Sequence, residues 1–310
     1  MTANGRRLLP QPSLYPKGNI DMPDAWPFNA FLDVPEALAQ PGSSKFHILP
    51  VPYDGTASYK KGTRFGPDAI IEASQQIELF DEQEHREYHL PGVHTLPAVA
   101  CEGKTAEQVD NAIFAAATPA FCQKKKLLSL GGEHSITPPL VRAAKEFYPD
   151  LSVLQFDAHA DLRDRYDGTQ YSHACVMRRI FDLEVPFVGI GIRSFCKEQF
   201  EFMKAHQIVS VPPQAVAENQ GEIESMLLNQ LSDHVYVTFD IDGLDPSIAP
   251  GTGTPEPGGL DWHRSLHILQ AIGERKTIVG SDIVEVMPIP SQHTTEFLAA
   301  RLACKIITYS

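Results

Sequence analysis

The sequence predicts a three-layer α/β/α domain with a mostly parallel central sheet, and three observations lead there. Short apolar runs alternate with amphipathic stretches from residue 46 onward, the pattern of repeated βαβ units. Several of those runs place apolar residues at successive positions rather than only at every second one, as strands covered by helices on both faces do. The chain has 310 residues, 43% hydrophobic and 21% charged, which supports a large core and excludes a disordered or fibrous class.

In chain order, Phe46-His47-Ile48-Leu49-Pro50-Val51 reads as a strand, followed by the loop Tyr53-Asp54-Gly55-Thr56. Leu127-Leu128-Ser129-Leu130 is a short buried strand that stops at Gly131-Gly132, and a helical period runs over 138–147. Further strands are read at 151–156, 187–192, 208–211, 235–239 and 278–286. Amphipathic helices intervene at 197–206, 222–231, 264–274 and 295–307. No composition break or internal repeat divides this region, so residues 45–310 are expected to form one domain. Residues 1–44 are rich in Pro and polar residues without a sustained period. They are expected to form an extended arm on the body or on a neighbouring subunit.

Charge narrows the function classes. Lys and Arg number 26 against 39 Asp and Glu, a net −13 that repels phosphate backbones and anionic lipid. Nucleic acid and membrane surfaces are therefore poor partners, whereas a small cation is a suitable one. No segment reaches the ~18 apolar residues of a membrane span. The apolar stretch after Arg6 and Arg7 is broken by Pro10, Pro12 and Pro16, unlike a signal peptide. Five scattered cysteines without a C-x-x-C fit free thiols in a reducing cytoplasm, which is the expected location.

In an open parallel sheet, ligands bind beyond the carboxyl ends of the strands. There this sequence concentrates its acids and histidines. Gly131-Gly132-Glu133-His134-Ser135 follows one strand and Asp157-Ala158-His159-Ala160-Asp161 another. Asp240-Ile241-Asp242 follows a third, and Glu285 sits near the end of the last. If those segments stay extended, Asp157, His159 and Asp161 share one face, as do Asp240 and Asp242. With His134 they offer two imidazoles and four carboxylates. Carboxylates crowded without cations raise one another's pKa, whereas two divalent cations would balance the four charges. An oxygen-rich donor set with a minority of imidazole suits manganese, with iron and nickel as alternatives. Two such ions roughly 3.5–4 Å apart can hold a bridging hydroxide at neutral pH.

Gly131-Gly132-Glu133-His134-Ser135, Asp157-Ala158-His159-Ala160-Asp161, Ser172-His173-Ala174 and Asp240-Ile241-Asp242-Gly243-Leu244-Asp245-Pro246 together resemble the motifs of the ureohydrolases, the arginase and agmatinase family. The run from Ala249 through Gly-Thr-Gly-Thr-Pro-Glu-Pro-Gly-Gly to Gly259 matches as well, as do Pro52-Tyr53-Asp54-Gly55 and Gly62-Thr63-Arg64-Phe65-Gly66-Pro67. The resemblance runs from about residue 46 to the end and is greatest to bacterial agmatinases. It implies an arginase-like fold and two Mn(2+) per subunit. His134, Asp157, Asp161 and Asp240 would bind one ion; Asp157, His159, Asp240 and Asp242 would bind the other, with Asp157 and Asp240 bridging. It further implies that Asp161 orients the hydroxide and passes a proton to the leaving amine, that His173 shuttles protons, and that Glu285 pairs with the substrate guanidinium. The family's assemblies imply a homotrimer or homohexamer.

The resemblance ranks substrates less sharply than it ranks chemistry. Family arginases carry an acid directly after the Gly-x-Arg of a central strand, but here Gly191-Ile192-Arg193 is followed by Ser194. The segment Asp161-Leu162-Arg163-Asp164-Arg165-Tyr166 is more similar to agmatinases, and a dicationic amine suits an acidic chain. Agmatine, cleaved to putrescine and urea, is the expected substrate. Arginase and guanidinobutyrase activities stay open because Arg163 could receive a substrate carboxylate. Met287 and Pro290-Ser291-Gln292-His293 depart from the family's usual residues next to Glu285. A metal-free binding or regulatory homologue is the alternative of a different class.

Overall fold

The computed structural model describes residues 30–310. The arm expected over 1–44 lies outside the described residues as far as residue 29. Of its remainder, Phe31 and Leu32 are buried, and their amides donate to Thr95 Oγ1 and Ser74 Oγ, each at 2.8 Å.

One sheet organises the described residues. Its strands are β1 (Phe46–Val51), β2 (Val93–Thr95), β3 (Lys126–Gly131), β4 (Ser152–Phe156), β5 (Phe187–Ile190), β6 (Val209–Val211), β7 (His234–Asp240) and β8 (Thr277–Val284). They lie in the order β2-β1-β3-β8-β7-β4-β5-β6, and every pairing is parallel. The helices are α1 (Gly66–Ser74), α2 (Ala106–Cys122), α3 (Thr137–Lys145), α4 (Val176–Asp182), α5 (Lys197–His206), α6 (Pro213–Glu218), α7 (Gln220–Gln230), α8 (Trp262–Arg275) and α9 (Thr294–Tyr309).

Strands β1, β3, β4, β7 and β8 each contribute to two cores, which explains why their apolar residues fall at successive positions. In β7, Val235, Val237 and Phe239 join Ile70 of α1, Leu266 and Leu269 of α8 and Ala303 of α9 on one face. Tyr236 turns to the other face, with Ile113 of α2, Leu140 of α3 and Met177 of α4. Fully burying an aliphatic side chain of this kind contributes about 1.5–3 kcal/mol. Local signals set where helices begin. Thr105 and Gln108 form a reciprocal capping box on α2, and the Asp261 carboxylate accepts the Arg264 amide at the start of α8.

The chain steps from β1 to β3 and from β4 through β5 to β6 in the same direction across the sheet. Between β3 and β4 it skips two places, and β7 and then β8 return against that direction to fill the gap. In an open parallel sheet the crevice for ligands lies beyond the carboxyl ends of such strands. The four strands expected to deliver acids and histidines are thus the four central neighbours.

Two expected strands are shorter than their apolar runs. The runs 187–192 and 278–286 stop at Ile190 and Val284, because Gly191 (φ 92°) and Glu285 (φ 63°) turn the backbone into the left-handed region. Strand β2 and helices α1, α2, α4 and α6 have no counterpart in the sequence reading. Strand β2 spans three residues and α4 and α6 seven and six, too short to display a period.

Candidate metal centre

The loops after β3, β4 and β7 bring the six expected ligands together. His134 Nδ1 lies 3.1 Å from Asp157 Oδ2, 3.2 Å from Asp161 Oδ2 and 3.4 Å from Asp240 Oδ2. His159 Nδ1 lies 2.9 Å from Asp242 Oδ2 and 3.7 Å from Asp157 Oδ1. Two groups can each surround one cation: His134, Asp157 and Asp240, and Asp157, His159 and Asp242. Asp157 belongs to both.

The residues converge by a route other than the extended backbone expected from alternation. Asp240 closes β7, and its Oδ1 accepts the Asp242 amide at 2.8 Å, capping the 3-10 turn Ile241–Gly243 that carries Asp242 inward. Asp157 Oδ1 accepts the His159 amide at 2.6 Å, and Asp242 Oδ1 accepts the Ala158 amide at 3.1 Å, stitching the two loops together. Asp161 adopts φ 49°, and its carbonyl accepts the amides of Met177 and Arg178 at the start of α4. Gly132 has no room for a Cβ against the Tyr53 carbonyl, so only glycine lets these two loops meet.

The electrostatics describe a site built for cations. Burial would depress the His159 imidazole, but Asp242 and Asp157 outweigh it and push it up to about 12. His134 is likewise driven well above its ordinary value by Asp157, Asp161 and Asp240, against burial. Burial, then the Asp157 charge, raise Asp161 to about 6. Burial and the neighbouring charges of Asp242 and Asp157 raise Asp240 well above the carboxylate range. Yet none of the surrounding carboxylates meets buried His134 Nδ1 as a hydrogen-bond partner. A buried ring nitrogen left without a hydrogen bond among acids is where a divalent ion can replace the proton, so these residues fit a binuclear centre.

Behind that centre stand residues the sequence reading passed over. His134 Nε2 is 2.8 Å from Thr238 Oγ1, and that hydroxyl donates to Asp282 Oδ1 at 2.7 Å. Thr137 and Tyr236 donate to Asp282 Oδ2 at 3.0 and 2.9 Å. With its proton committed to Asp282, Thr238 accepts Nε2–H, which leaves Nδ1 free as a ligand. The signal was present, since Asp282 is a charge inside the otherwise uncharged run of β8. Arg193 is the other omission. Its guanidinium donates to the carbonyls of Asp242 at 2.8 Å, Glu256 at 2.6 Å and Gly191 at 3.0 Å, clamping the ligand turn.

A cavity of about 370 Å³ opens over the centre, lined by His134, His159, Asp161, Asp240 and Asp242, together with Arg163, Tyr166, His173, Phe195, Thr254 and Glu285. Glu285 Oε1 accepts the His134 amide at 2.8 Å, and burial, then the Glu133 charge, push its carboxyl up to about 8. Burial pushes the His173 imidazole down, so it stands neutral at pH 7. Arg163 lies over the Tyr166 ring, 5.1 Å from its centre. Met287 and residues 290–293 do not line the cavity. Met287 packs toward Gly62, and His293 borders a separate hollow with Glu296.

A family model described as the arginase family matches residues 44–308. The chain belongs to the arginase family. An N(1)-aminopropylagmatine ureohydrolase of Synechocystis sp. is 34% identical over 88% of this chain and 92% of its own length. An agmatinase of Halalkalibacterium halodurans is 34% identical over 81% of this chain and 87% of its own. Among solved structures, the agmatine ureohydrolase of Thermoplasma volcanium superposes with a TM-score of 0.82 at 30% identity, covering 92% of this chain and 94% of that one. The protein is thus an arginase-family ureohydrolase with the family's α/β fold. No helix among the described residues is long and apolar enough to cross a membrane.

Proposed function

We propose that this ureohydrolase cleaves the guanidinium group of a linear guanidino amine, adding water to release urea and the free amine. The observation that carries the reading is the pair of ligand groups sharing Asp157, with the Glu285 carboxylate in the same cavity. Manganese is the ion proposed, held by His134, Asp157, Asp161 and Asp240 on one side and by Asp157, His159, Asp240 and Asp242 on the other. Bound there, two ions would lower the pKa of a shared water so that hydroxide exists at neutral pH. Glu285 holds the planar guanidinium as a carboxylate holds any such fork, and its anchoring by the His134 amide fixes one oxygen. Asp161 accepts the proton of the attacking water and returns it to the departing amine nitrogen. His173 carries protons between the cavity and solvent.

Agmatine is the proposed substrate, and the name of the Synechocystis relative favours its aminopropyl derivative as a second reading. Arginine is disfavoured because Ser194 stands where family arginases place an acid. Arg163 in the cavity wall is the feature that would serve a carboxylate-bearing guanidino acid instead. A cytoplasmic homotrimer or homohexamer belongs to the same proposal.

The test is urea release by manganese-reconstituted protein from agmatine, N1-aminopropylagmatine, arginine and 4-guanidinobutyrate in separate assays. Turnover of either amine above both acids is expected. Preference for a carboxylate-bearing substrate would overturn the amine assignment and move attention to Arg163. No urea from any of the four, with two manganese ions bound, would overturn the catalytic reading in favour of a binding homologue.

A further inference from the structure

Outside the ligand set, one buried carboxylate ties a loop to the cavity. Glu133 is fully buried beside His134. Its Oε2 accepts the Thr56 amide at 2.7 Å, and its Oε1 accepts the Thr56 and Ser135 hydroxyls, each at 2.5 Å. Thr56 Oγ1 then accepts the His173 amide at 3.1 Å and lies 3.4 Å from His173 Nδ1. A hydroxyl has one proton to give. With that proton directed at Glu133, the Thr56 oxygen has only lone pairs for His173, which favours the proton on Nδ1. Ser172 Oγ, also 3.4 Å from Nδ1, can accept the same proton. Nε2 is left with its lone pair, 3.4 Å from Ser58 Oγ at the cavity wall. The Tyr166 ring meets the imidazole edge-on at 5.8 Å and limits its rotation.

We propose that Thr56 and Glu133 are positioning residues that hold His173 in its Nδ1–H tautomer, with Nε2 presented to the cavity as the nitrogen that accepts a proton. The proposal rests on the reading of His173 as the proton carrier. Neither residue touches substrate; each acts through the imidazole. A ring fixed in the other tautomer would present an N–H where a base is required, which is how an outer hydrogen bond governs a histidine's chemistry.

The experiment compares Thr56→Val, Thr56→Ser, His173→Ala and the Thr56→Val/His173→Ala double variant in the manganese-reconstituted full chain, on whichever guanidino substrate turns over. Thr56→Val is expected to lower kcat by about 100-fold, the cost of misplacing a catalytic group, with KM and bound manganese unchanged. Thr56→Ser, which keeps the hydroxyl, is expected to retain activity. The double variant is expected to be no slower than His173→Ala, because Thr56 has nothing left to act through. Wild-type kcat in Thr56→Val beside a slow His173→Ala would overturn the positioning role. Independent, multiplying losses in the double variant would overturn it equally. Wild-type activity in His173→Ala would overturn the underlying reading of His173 instead, so the two failures are distinct. If valine disrupts the loop, Thr56→Ala makes the same comparison.

Discussion

Thr238 fixes the state of a ligand through a single hydrogen bond, without joining the ligand set itself. Its proton goes to fully buried Asp282, so its oxygen receives His134 Nε2–H and the ligand nitrogen is set. Asp282 is raised by burial and lowered by its three hydroxyl donors and by His134, yet its net shift is upward. Burial wins, and the hydroxyls are what keep the group tolerable there. Thr238→Val preserves shape and removes that relay. It is expected to weaken manganese binding by about 10–100-fold while leaving the fold intact, as loss of an outer-shell partner generally does. Manganese titration followed by calorimetry checks this; unaltered affinity would show that His134 needs no such orientation.

Helix α9 illustrates how one buried contact can outweigh several exposed ones. Lys305 is buried, and its ammonium donates to Asp81 Oδ1 at 3.0 Å, with Glu82 Oε1 at 3.1 Å. Arg301 on the same helix meets Glu82 at 2.8 Å in a half-exposed pair. An exposed pair contributes at most about 1 kcal/mol, whereas removing one partner of a buried pair costs about 3–5 kcal/mol. Lys305→Met is therefore expected to destabilise far more than Arg301→Ala in urea denaturation. Equal effects would mean that the buried charge is compensated elsewhere. Burial would raise Asp81, but the amides of Glu84 and Gln83 and the Lys305 ammonium hold it below the usual carboxylate range. A depressed folded pKa stabilises above the unfolded value, so this contribution is lost as pH falls through the acid range.

Across the whole molecule, metal and protons compete for one place. Without cations, His159 is pushed up to about 12 and Asp161 to about 6, so folding alone draws protons into the centre. Metal binding must expel them. Apparent manganese affinity is therefore expected to rise with pH and to weaken as pH falls toward about 6 and below. Ligand binding to the folded state alone stabilises by about 2.7 kcal/mol per site at 100 times Kd, so chelation is expected to lower Tm as well. Titrations at three pH values and melting with and without chelator check both signs. An affinity independent of pH would show that the ligands do not carry those protons.

Much of this was legible in the residues themselves. Apolar runs such as 151–156 and 235–239 can be satisfied only by burial on both faces, so the parallel sheet and its helical cover follow from local pattern. The acids and histidines at strand ends were equally plain, because ligand chemistry depends on residue type and on a short spacing such as Asp157-Ala158-His159. What the tertiary structure decided is whatever depends on distant segments meeting. Strand order placed β8 and β7 between β3 and β4, which makes four sequence-separated motifs neighbours. Left-handed backbone at Asp161 and Glu285, and the turn carrying Asp242, aimed side chains that alternation alone would have aimed differently. The partners of His134 and His173, Thr238 and Thr56, lie 104 and 117 residues away, and no local period reports a hydrogen bond across such a distance. Residue type determined what the site can do, and topology determined which groups orient it.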